Sequence, residues 1–320
     1  MYIFIMASKN LYAAIDVGSN AIRFLIANFD EKNNKLITIQ YNRIPLRLGV
    51  DAFNNGIISA PLEKELLSTF KKFKELIKIS EIPNSNIRAV GTSALRDSKN
   101  GSTICRKILE ETDIKINILT GIEEAKSVFF AFKKSWHLND HPLFLMDLGG
   151  GSLEFNLVQK KELISSDSIN IGTVRMLSAA QKGAKIYEGL WQDFQKQMSK
   201  IINRQGGVTP ANTPQVSLIG TGGNLRCLGT LRKKILGKKS SDFAKKKDIE
   251  KILLTIKNTS VKKRIEQFDL RKDRAEVIEV ALELIDKVMT IGGFDKIYLP
   301  KIGLIDGIIW ELYEKNTEKN

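Results

Sequence analysis

The feature that most constrains the fold of this chain is a strand-and-turn pattern that occurs twice. Residues 14–20 read AIDVGSN and residues 145–152 read LMDLGGGS. In each segment an apolar run ends in an Asp, a turn of small residues follows, and a second apolar run begins. Glycine lets backbone N–H groups converge on an anion because no Cβ stands in the way, and serine hydroxyls add further donors. The repeated pattern therefore predicts two similar halves, each with a turn suited to phosphate.

A third glycine-rich loop, IGTGGN at residues 219–224, follows an apolar strand and opens a helix. The N-terminus of a helix attracts anions. Taken singly, each Asp-Gly turn is also explained as a tight hairpin, and the third loop as a plain strand-to-helix turn; the three together favour phosphate binding. Neither GxxxxGK[ST] nor GxGxxG occurs in a strand-to-helix setting, so P-loop and Rossmann nucleotide sites lack their motif.

Apolar runs alternate with segments of helical spacing along the chain, which predicts an α/β architecture. The predicted strands are Tyr12–Val17, Ile22–Phe29, Leu36–Leu48, Ile87–Val90, Ile114–Leu119, Leu143–Met146, Glu154–Val158, Glu162–Ser165, Val216–Ile219 and Ile297–Leu299. The predicted helices are Leu62–Ile79, one that begins after Gly121, one from about Ala184 to Gln205, several between the third loop and about residue 291, and Leu304–Tyr313. Residues 206–214 are predicted to form a loop.

Composition narrows the class of protein. The 320 residues carry a net charge of +14, which indicates a polyanionic partner, and the length suggests about two domains. Two cysteines, Cys105 and Cys227, and two histidines, His137 and His141, are too few for a disulfide framework or a zinc cluster. No apolar run reaches the ~18 residues of a membrane span, and MYIFIM is too short for a signal peptide. We therefore expect no membrane association and a cytoplasmic location.

Most of the positive charge lies in one segment. Residues 231–274 contain 16 Lys or Arg and 6 Asp or Glu. A solvated, lysine-rich surface is one interpretation; a track for a long phosphate chain, with Lys238, Lys239, Lys245, Lys246 and Lys247 as its contacts, is the other. The core of the segment has one aromatic residue, Phe243, whereas base stacking would need several, so a nucleic-acid partner is not expected.

Five side chains outside the turns stand out. Thr120 and Glu123 have the spacing of a capping box, which leaves Glu124 free for another role such as activating a water molecule. Arg23 interrupts an apolar strand and Arg96 follows a Gly-Thr-Ser turn, so both are candidates for bidentate phosphate contacts. An ordinary surface salt bridge is the alternative for each arginine.

Eight segments resemble, in order, the exopolyphosphatase/guanosine pentaphosphate phosphohydrolase (Ppx/GppA) family. That family belongs to the sugar kinase/heat-shock ATPase/actin superfamily. The segments are AIDVGSNAIRFLI (14–26), VGTSALRDS (90–98), ILTGIEEAKSVFF (118–130), FLMDLGGGSLEF (144–155), INIGTVRM (169–176), LIGTGGNLRCLG (218–229), DRAEVIEVAL (273–282) and KIGLIDGII (301–309).

The resemblance implies two actin-like (ribonuclease H-like) α/β lobes with a cleft between them, residues 1–137 plus 306–320 and residues 138–305. It implies a hydrolase that releases orthophosphate from polyphosphate, with Glu124 as the catalytic base and Mg²⁺ as cofactor. The implied metal ligands are Asp16, Asp147 and Glu154. The implied phosphate-binding residues are Gly18, Ser19, Asn20, Arg23, Arg96, Gly149, Gly150, Gly151, Ser152, Gly222 and Gly223.

The chain departs from the family pattern in places. Ile305 stands where the family commonly has Arg, and Arg274-Ala275-Glu276 replaces the family's Arg-Ala-Asp. The chain resembles the short, two-domain form, which puts in doubt any processivity that needs further domains. Hydrolysis of guanosine pentaphosphate, a kinase of the same superfamily and a non-catalytic sensor of polyphosphate or guanosine tetraphosphate stay open as alternatives. A homodimer is also left open.

Overall fold

The computed structural model describes residues 10–33, 35–136, 140–204 and 216–318, and the strands in these ranges form two mixed sheets. The strands are β1 Tyr12–Val17, β2 Ile22–Asp30, β3 Lys35–Ile44, β4 Ile87–Gly91, β5 Ile116–Ile118, β6 Leu143–Leu148, β7 Leu153–Gln159, β8 Glu162–Ile169, β9 Ser217–Thr221, β10 Phe243–Lys245 and β11 Lys296–Tyr298. The helices are α1 Leu48–Asn55, α2 Ala60–Ile79, α3 Ser93–Asp97, α4 Gly101–Thr112, α5 Gly121–Ser135, α6 Thr173–Lys182, α7 Ala184–Arg204, α8 Gly222–Leu236, α9 Lys246–Lys257, α10 Val261–Phe268, α11 Lys272–Ala275, α12 Ile278–Gly292 and α13 Leu304–Thr317.

The two sheets repeat one topology. The first has the order β3-β2-β1-β4-β5, and the second has the order β8-β7-β6-β9-β11 with β10 added at its edge. In both, the first three strands form an antiparallel meander and the next two lie parallel to the central strand. The prediction of an α/β fold with two similar halves is confirmed.

The central strand of each sheet is buried on both faces. Alternate residues of a strand point to opposite faces, and β1 accordingly places Ala13, Ile15 and Val17 in the core of the first half while Tyr12 and Ala14 face a shared core. The second half follows the same rule, since alternate residues of β6 join its own core and the shared one.

Helices α5 and α13 pack against each other between the sheets, and α13 also packs on β1. The first sheet is built from residues up to 118 and the second from residues 143 onward. The boundaries at 137/138 and 305/306 stay predictions.

Two local predictions are wrong. The strand predicted over Leu36–Leu48 ends at Ile44, because Arg47 adopts a left-handed conformation with φ 50° and α1 begins at Leu48. The region between the third loop and residue 291 is not purely helical, because Phe243–Lys245 pairs antiparallel with β11. His137 and the predicted loop 206–214 lie outside the described residues. Within the described ranges, no helix is long and apolar enough to cross a membrane.

Candidate active site

The turn ends of the two repeated hairpins meet at one cleft. In the first hairpin Asp16 on β1 pairs with Arg23 on β2, and in the second Asp147 on β6 pairs with Glu154 on β7. Each Asp is the next-to-last residue of the central strand of its sheet. The duplicated topology therefore places two Asp residues and their cross-strand partners on facing walls of the cleft.

Most of the predicted site residues line this cleft. These are Asp16, Gly18, Ser19, Asn20, Arg23, Glu124, Asp147, Gly149, Gly150, Ser152, Glu154, Gly222 and Gly223. Two predicted residues do not line it: Gly151, which packs against Ser93 and Phe53, and Arg96.

Several polar residues that line the cleft were missing from the predicted set. They are Thr92, Ser93, Thr173, Asn224, Arg226 and Arg274. All of them lie inside the segments that carried the family resemblance, but the sequence pattern indicated no role for them. These residues line one cleft only because segments that are distant in the sequence lie close together in the fold.

In the first half, Asp16 is almost fully buried and forms an ion pair with Arg23. Burial by itself would lower the pKa of the Arg23 guanidinium, but the Asp16 carboxylate raises that pKa above its ordinary value. The ion pair uses Asp16 Oδ2, whereas the buried Oδ1 has no hydrogen-bond partner among the described residues. Because an unsatisfied buried oxygen is costly, Oδ1 is the oxygen of Asp16 that is available to a cation.

Glu124 lies in the first turn of α5, and the local sequence explains its orientation. Thr120 caps the helix and Glu123 completes the predicted capping box, with the Glu123 N–H donating to Thr120 Oγ1 at 3.2 Å. Glu123 thus turns back to the helix start. Glu124, the next residue, is only 7% exposed and lines the cleft.

Arg96 holds the Glu124 carboxyl group. Its Nη1 donates to Glu124 Oε1 at 2.7 Å and to the Leu119 carbonyl oxygen at 2.8 Å. Burial raises the pKa of Glu124 to about 8, against the opposing effect of Arg96; Asp16 and Asp147 raise it further. The guanidinium of Arg96 thus contacts Glu124. Its predicted contact with phosphate stays a prediction.

The second half of the cleft is acidic. Burial raises the pKa of Asp147, whose Oδ1 accepts a hydrogen bond from Thr221 Oγ1 at 2.9 Å. Burial and the neighbouring Glu124 raise the pKa of Glu154 well above its usual range, although Ser168 Oγ donates to its Oε1 at 3.1 Å. The backbone at Gly222 has φ +87°, and a Cβ there would collide with the Asp147 carboxylate, so this position requires glycine.

The donor set of the cleft is compatible with Mg²⁺. It consists of carboxylate oxygens, which Mg²⁺ prefers, and includes the unpartnered Asp16 Oδ1. Over the residues that the structure describes, however, no three Asp, Glu, His or Cys side chains are close enough together to hold an ion by themselves. Mg²⁺ in phosphate sites is commonly held by one or two carboxylates, with substrate phosphates and water completing its shell. The three predicted ligands stay a prediction.

A second, adjoining cleft is rich in arginine. Its wall includes Tyr41 together with Arg23, Arg43, Arg226, Arg271 and Arg274. Asp273 pairs with Arg43 and accepts a hydrogen bond from the Asn20 amide at 3.0 Å, so it ties α11 to β3 and to the first turn. Arg274 donates to Asn224 on α8, and its burial lowers its pKa to about 10. The arginine wall thus joins elements from both halves.

Comparison with known proteins gives consistent results. The model of the Ppx/GppA phosphatase family matches residues 25–316. The bifunctional 3-dehydroquinate synthase/phosphatase of Fusobacterium nucleatum subsp. nucleatum is 29% identical over 94% of this chain and 46% of its own length. The guanosine-5'-triphosphate,3'-diphosphate pyrophosphatase of Pseudoalteromonas atlantica is 28% identical over 52% of this chain and 32% of its own length. The chain thus spans less than half the length of either relative.

Among solved structures, an exopolyphosphatase from Cytophaga hutchinsonii superposes with a TM-score of 0.78 and 20% sequence identity. The superposition covers 96% of this chain and 98% of that one. At this identity the likeness concerns the fold, and it extends over both sheets of the molecule.

Proposed function

Because the chain belongs to the Ppx/GppA phosphatase family, we propose that it hydrolyses the terminal phosphoanhydride bond of inorganic polyphosphate and releases orthophosphate. The observation that carries this proposal is the position of Glu124. Its buried carboxyl group lines the same cleft as the two hairpin turns and the third glycine loop. A candidate general base therefore lies beside three loops suited to phosphate.

The turns offer backbone donors to a phosphate group. The N–H groups of Ser19, Asn20 and Gly150 make no hydrogen bond with any other described residue. Fixed N–H donors of this kind need no reorganisation when negative charge develops on a transferring phosphoryl group. We assign to them the positioning of the terminal phosphate.

The cleft also offers positive charge. Arg23, Arg226 and Arg274 line it, and the guanidinium of Arg226 forms no ion pair or hydrogen bond with any other described residue. Arginine suits phosphate because its planar fork presents several donors at once. These three side chains would spread the charge of the transition state over the cleft wall.

Glu124 would act in its ionised form. It accepts a proton from the attacking water, the water oxygen bonds to the terminal phosphorus, and the bridging oxygen leaves with the shortened chain. A base is most useful when its pKa is close to the working pH, and the pKa of Glu124 is about 8. Arg96 keeps the carboxyl group oriented toward the cleft.

A bound Mg²⁺ would neutralise charge on the phosphate oxygens. Asp16, Asp147 and Glu154 are the residues that would hold it. Binding a cation would also favour the ionised forms of Asp147 and Glu154, whose pKa values burial otherwise raises.

Guanosine pentaphosphate is the second candidate substrate, and the adjoining cleft favours it. Tyr41 provides a ring against which a base can stack, and the arginines around it suit the phosphates of a nucleotide. The main cleft, by contrast, has no aromatic side chain among its described lining residues. A bare phosphate chain has no base and needs no aromatic ring for stacking.

The test measures phosphate release from long polyphosphate, tripolyphosphate and guanosine pentaphosphate in parallel, with and without Mg²⁺. We expect Glu124→Gln to lower kcat by about 10²–10⁴. The matched control is Glu123→Gln, which should keep wild-type activity because Gln also completes a capping box.

Each alternative has its own signature in this assay. Full activity of Glu124→Gln would overturn the assignment of the base. A higher kcat/KM for guanosine pentaphosphate than for polyphosphate would make the nucleotide the substrate. Tight binding of polyphosphate without turnover would indicate a sensor, and transfer of labelled phosphate from ATP to an acceptor would indicate a kinase.

A further inference from the structure

A basic groove runs along α8 away from the cleft. It is lined by Arg226, Thr230, Lys233, Lys234, Ser241, Leu299 and Lys301. We call it the α8 groove. Positions 226, 230, 233 and 234 are spaced so that they share one face of the helix. From Arg226 to Lys234 the helix rises about 12 Å at 1.5 Å per residue.

The charge of the α8 groove is largely uncompensated. None of its described lining residues is acidic. Lys233 and Lys301 are exposed and form no ion pair within the described residues, whereas Lys234 lies 3.3 Å from Asp269. Lysines in the last turn of a helix stabilise it, because their charge interacts favourably with the negative end of the helix dipole. That effect does not account for Lys301, which lies between β11 and α13 and faces the same groove.

Arg226 connects the groove to the candidate active site. Its half-buried side chain lines the main cleft, the arginine-rich cleft and the α8 groove. A linear anion whose end lies in the main cleft would therefore pass Arg226 and continue past Thr230 to Lys233. A compact substrate would end before it reached these lysines.

We propose that the α8 groove binds the part of a polyphosphate chain that extends beyond the cleaved end, so that it selects for long linear polyphosphate. The inference rests on the proposed function and adds to it a preference for chain length. Lys233 and Lys301 are its main contacts. Polyphosphate suits the groove better than RNA, because no described lining residue is aromatic and unpaired bases would find no ring to stack on.

The groove uses different lysines from those that the sequence pattern suggested. Lys238, Lys239, Lys245, Lys246 and Lys247 are not among its lining residues. Lys246 in addition pairs with Glu250 at 2.6 Å. Two members of that set, Lys238 and Lys239, are exposed and free of ion pairs within the described ranges, so they provide a control with the same change of charge.

The experiment compares Lys233→Gln/Lys301→Gln with Lys238→Gln/Lys239→Gln. We expect the groove variant to raise KM for long polyphosphate roughly five- to tenfold, and to raise KM for tripolyphosphate less. Its KM for long chains should also depend less on salt than that of the wild type. The control variant should stay within about twofold of the wild type for both substrates.

A binding measurement separates this inference from the proposed function. Fluorescently labelled long polyphosphate is titrated into each lysine pair on the Glu124→Gln background, so the result does not depend on turnover. If no substrate releases phosphate in the activity assay, the proposed function fails while weaker binding by the groove variant still supports the groove. Equal losses in the two lysine pairs would overturn the groove, as would single-stranded RNA that competes as strongly as polyphosphate.

Discussion

Arg23 and Glu154 occupy equivalent positions in the two halves of the molecule. Each lies directly across a hairpin from an Asp, Arg23 opposite Asp16 and Glu154 opposite Asp147. The same backbone pattern thus carries an ion pair in the first half and two facing carboxyl groups in the second. The first arrangement is internally neutral. In the second, the two carboxylates would repel each other, and a proton or a cation would relieve that repulsion.

The acidic pair makes the stability of the protein depend on pH. Burial and Glu124 raise the pKa of Glu154 in the folded state, so the folded protein holds this proton at a pH where the unfolded chain has released it. The raised pKa of Glu154 therefore stabilises the folded protein fully below the pKa that Glu154 has in the unfolded chain. This stabilisation is lost as the pH rises toward the pKa that Glu154 has in the folded protein. We expect Glu154→Gln, which stays neutral, to melt several degrees higher than the wild type at pH 8 without metal.

Thermal melts between pH 5 and pH 9 in a chelator test this prediction. One pKa unit corresponds to about 1.4 kcal/mol, and each kcal/mol to about 2–4 °C in Tm for a large domain. The advantage of Glu154→Gln should shrink toward pH 5. Glu188→Gln, at an exposed position of α7, is the control and should follow the wild type. A variant that melts lower than the wild type at pH 8 would contradict the assignment.

The contact between Arg96 and Glu124 predicts a shift in the pH profile of activity. Arg96 opposes the rise in the pKa of Glu124, so its removal should push that pKa higher. A hydrogen bond to a charged group contributes about 1.5–3 kcal/mol, so we expect Arg96→Ala to move the acid limb of kcat/KM upward by about 1–2 pH units. Arg96→Lys should restore part of the shift.

The control for this experiment is Arg106→Ala, since Arg106 is 70% exposed and pairs loosely with Glu110. It should leave the pH profile in place. If Arg96→Ala raises KM and the acid limb does not move, Arg96 binds phosphate, as the sequence pattern suggested, and does not position the base.

The strands and turns that carry this site could be predicted from the sequence because they depend on a local pattern of apolar and small residues. The apolar run Tyr12–Val17 has the same bounds in the structure, and its following turn of small residues leads directly into β2. The short strand Phe243–Lys245 carries no such pattern; it lies in a lysine-rich segment and exists because it pairs with β11. Its prediction would require knowledge of the tertiary partner.

The same distinction applies to the side chains of the site. Glu124 was separable from Glu123 because capping is a local interaction. Arg96 had two possible partners, phosphate or a carboxylate, and only the arrangement of α3 beside α5 shows that it contacts Glu124. Arg226 was not among the predicted site residues, because nothing in the sequence of a helix indicates that three cavities meet at one of its residues.

The crossing of α5 and α13 predicts a strong effect of one methyl group. A Cβ at Gly307 would collide with the Ser127 carbonyl oxygen, one turn after Glu124 on α5. We expect Gly307→Ala to lower the free energy of unfolding by about 1–3 kcal/mol, as overpacking does, and to lower kcat by displacing α5. Urea denaturation and steady-state kinetics measure the two effects.

Gly189→Ala is the matched control for that substitution. Gly189 lies inside α7 and a Cβ there would meet open space. Because glycine weakens a helix interior, this variant should gain about 0.5–1 kcal/mol. Equal effects of the two substitutions would show that α5 and α13 do not cross closely in solution.

The buried carboxyl groups predict how the protein responds to Mg²⁺. A cation that binds the folded state alone stabilises it by RT ln(1 + [L]/Kd), about 2.7 kcal/mol at a hundredfold excess over Kd. Burial raises the pKa of Asp147 and Glu154, so at low pH their protons compete with the ion. We therefore expect Mg²⁺ to raise Tm more at pH 8 than at pH 5.5.

Asp147→Asn should abolish most of this increase, because it removes a carboxylate next to Thr221 in the cleft. Asp193→Asn, at an exposed position of α7, should respond to Mg²⁺ like the wild type. Differential scanning fluorimetry with a Mg²⁺ titration gives the comparison without any need for substrate. If both variants keep the full increase in Tm, the ion binds outside the cleft and Asp147 is not one of its ligands.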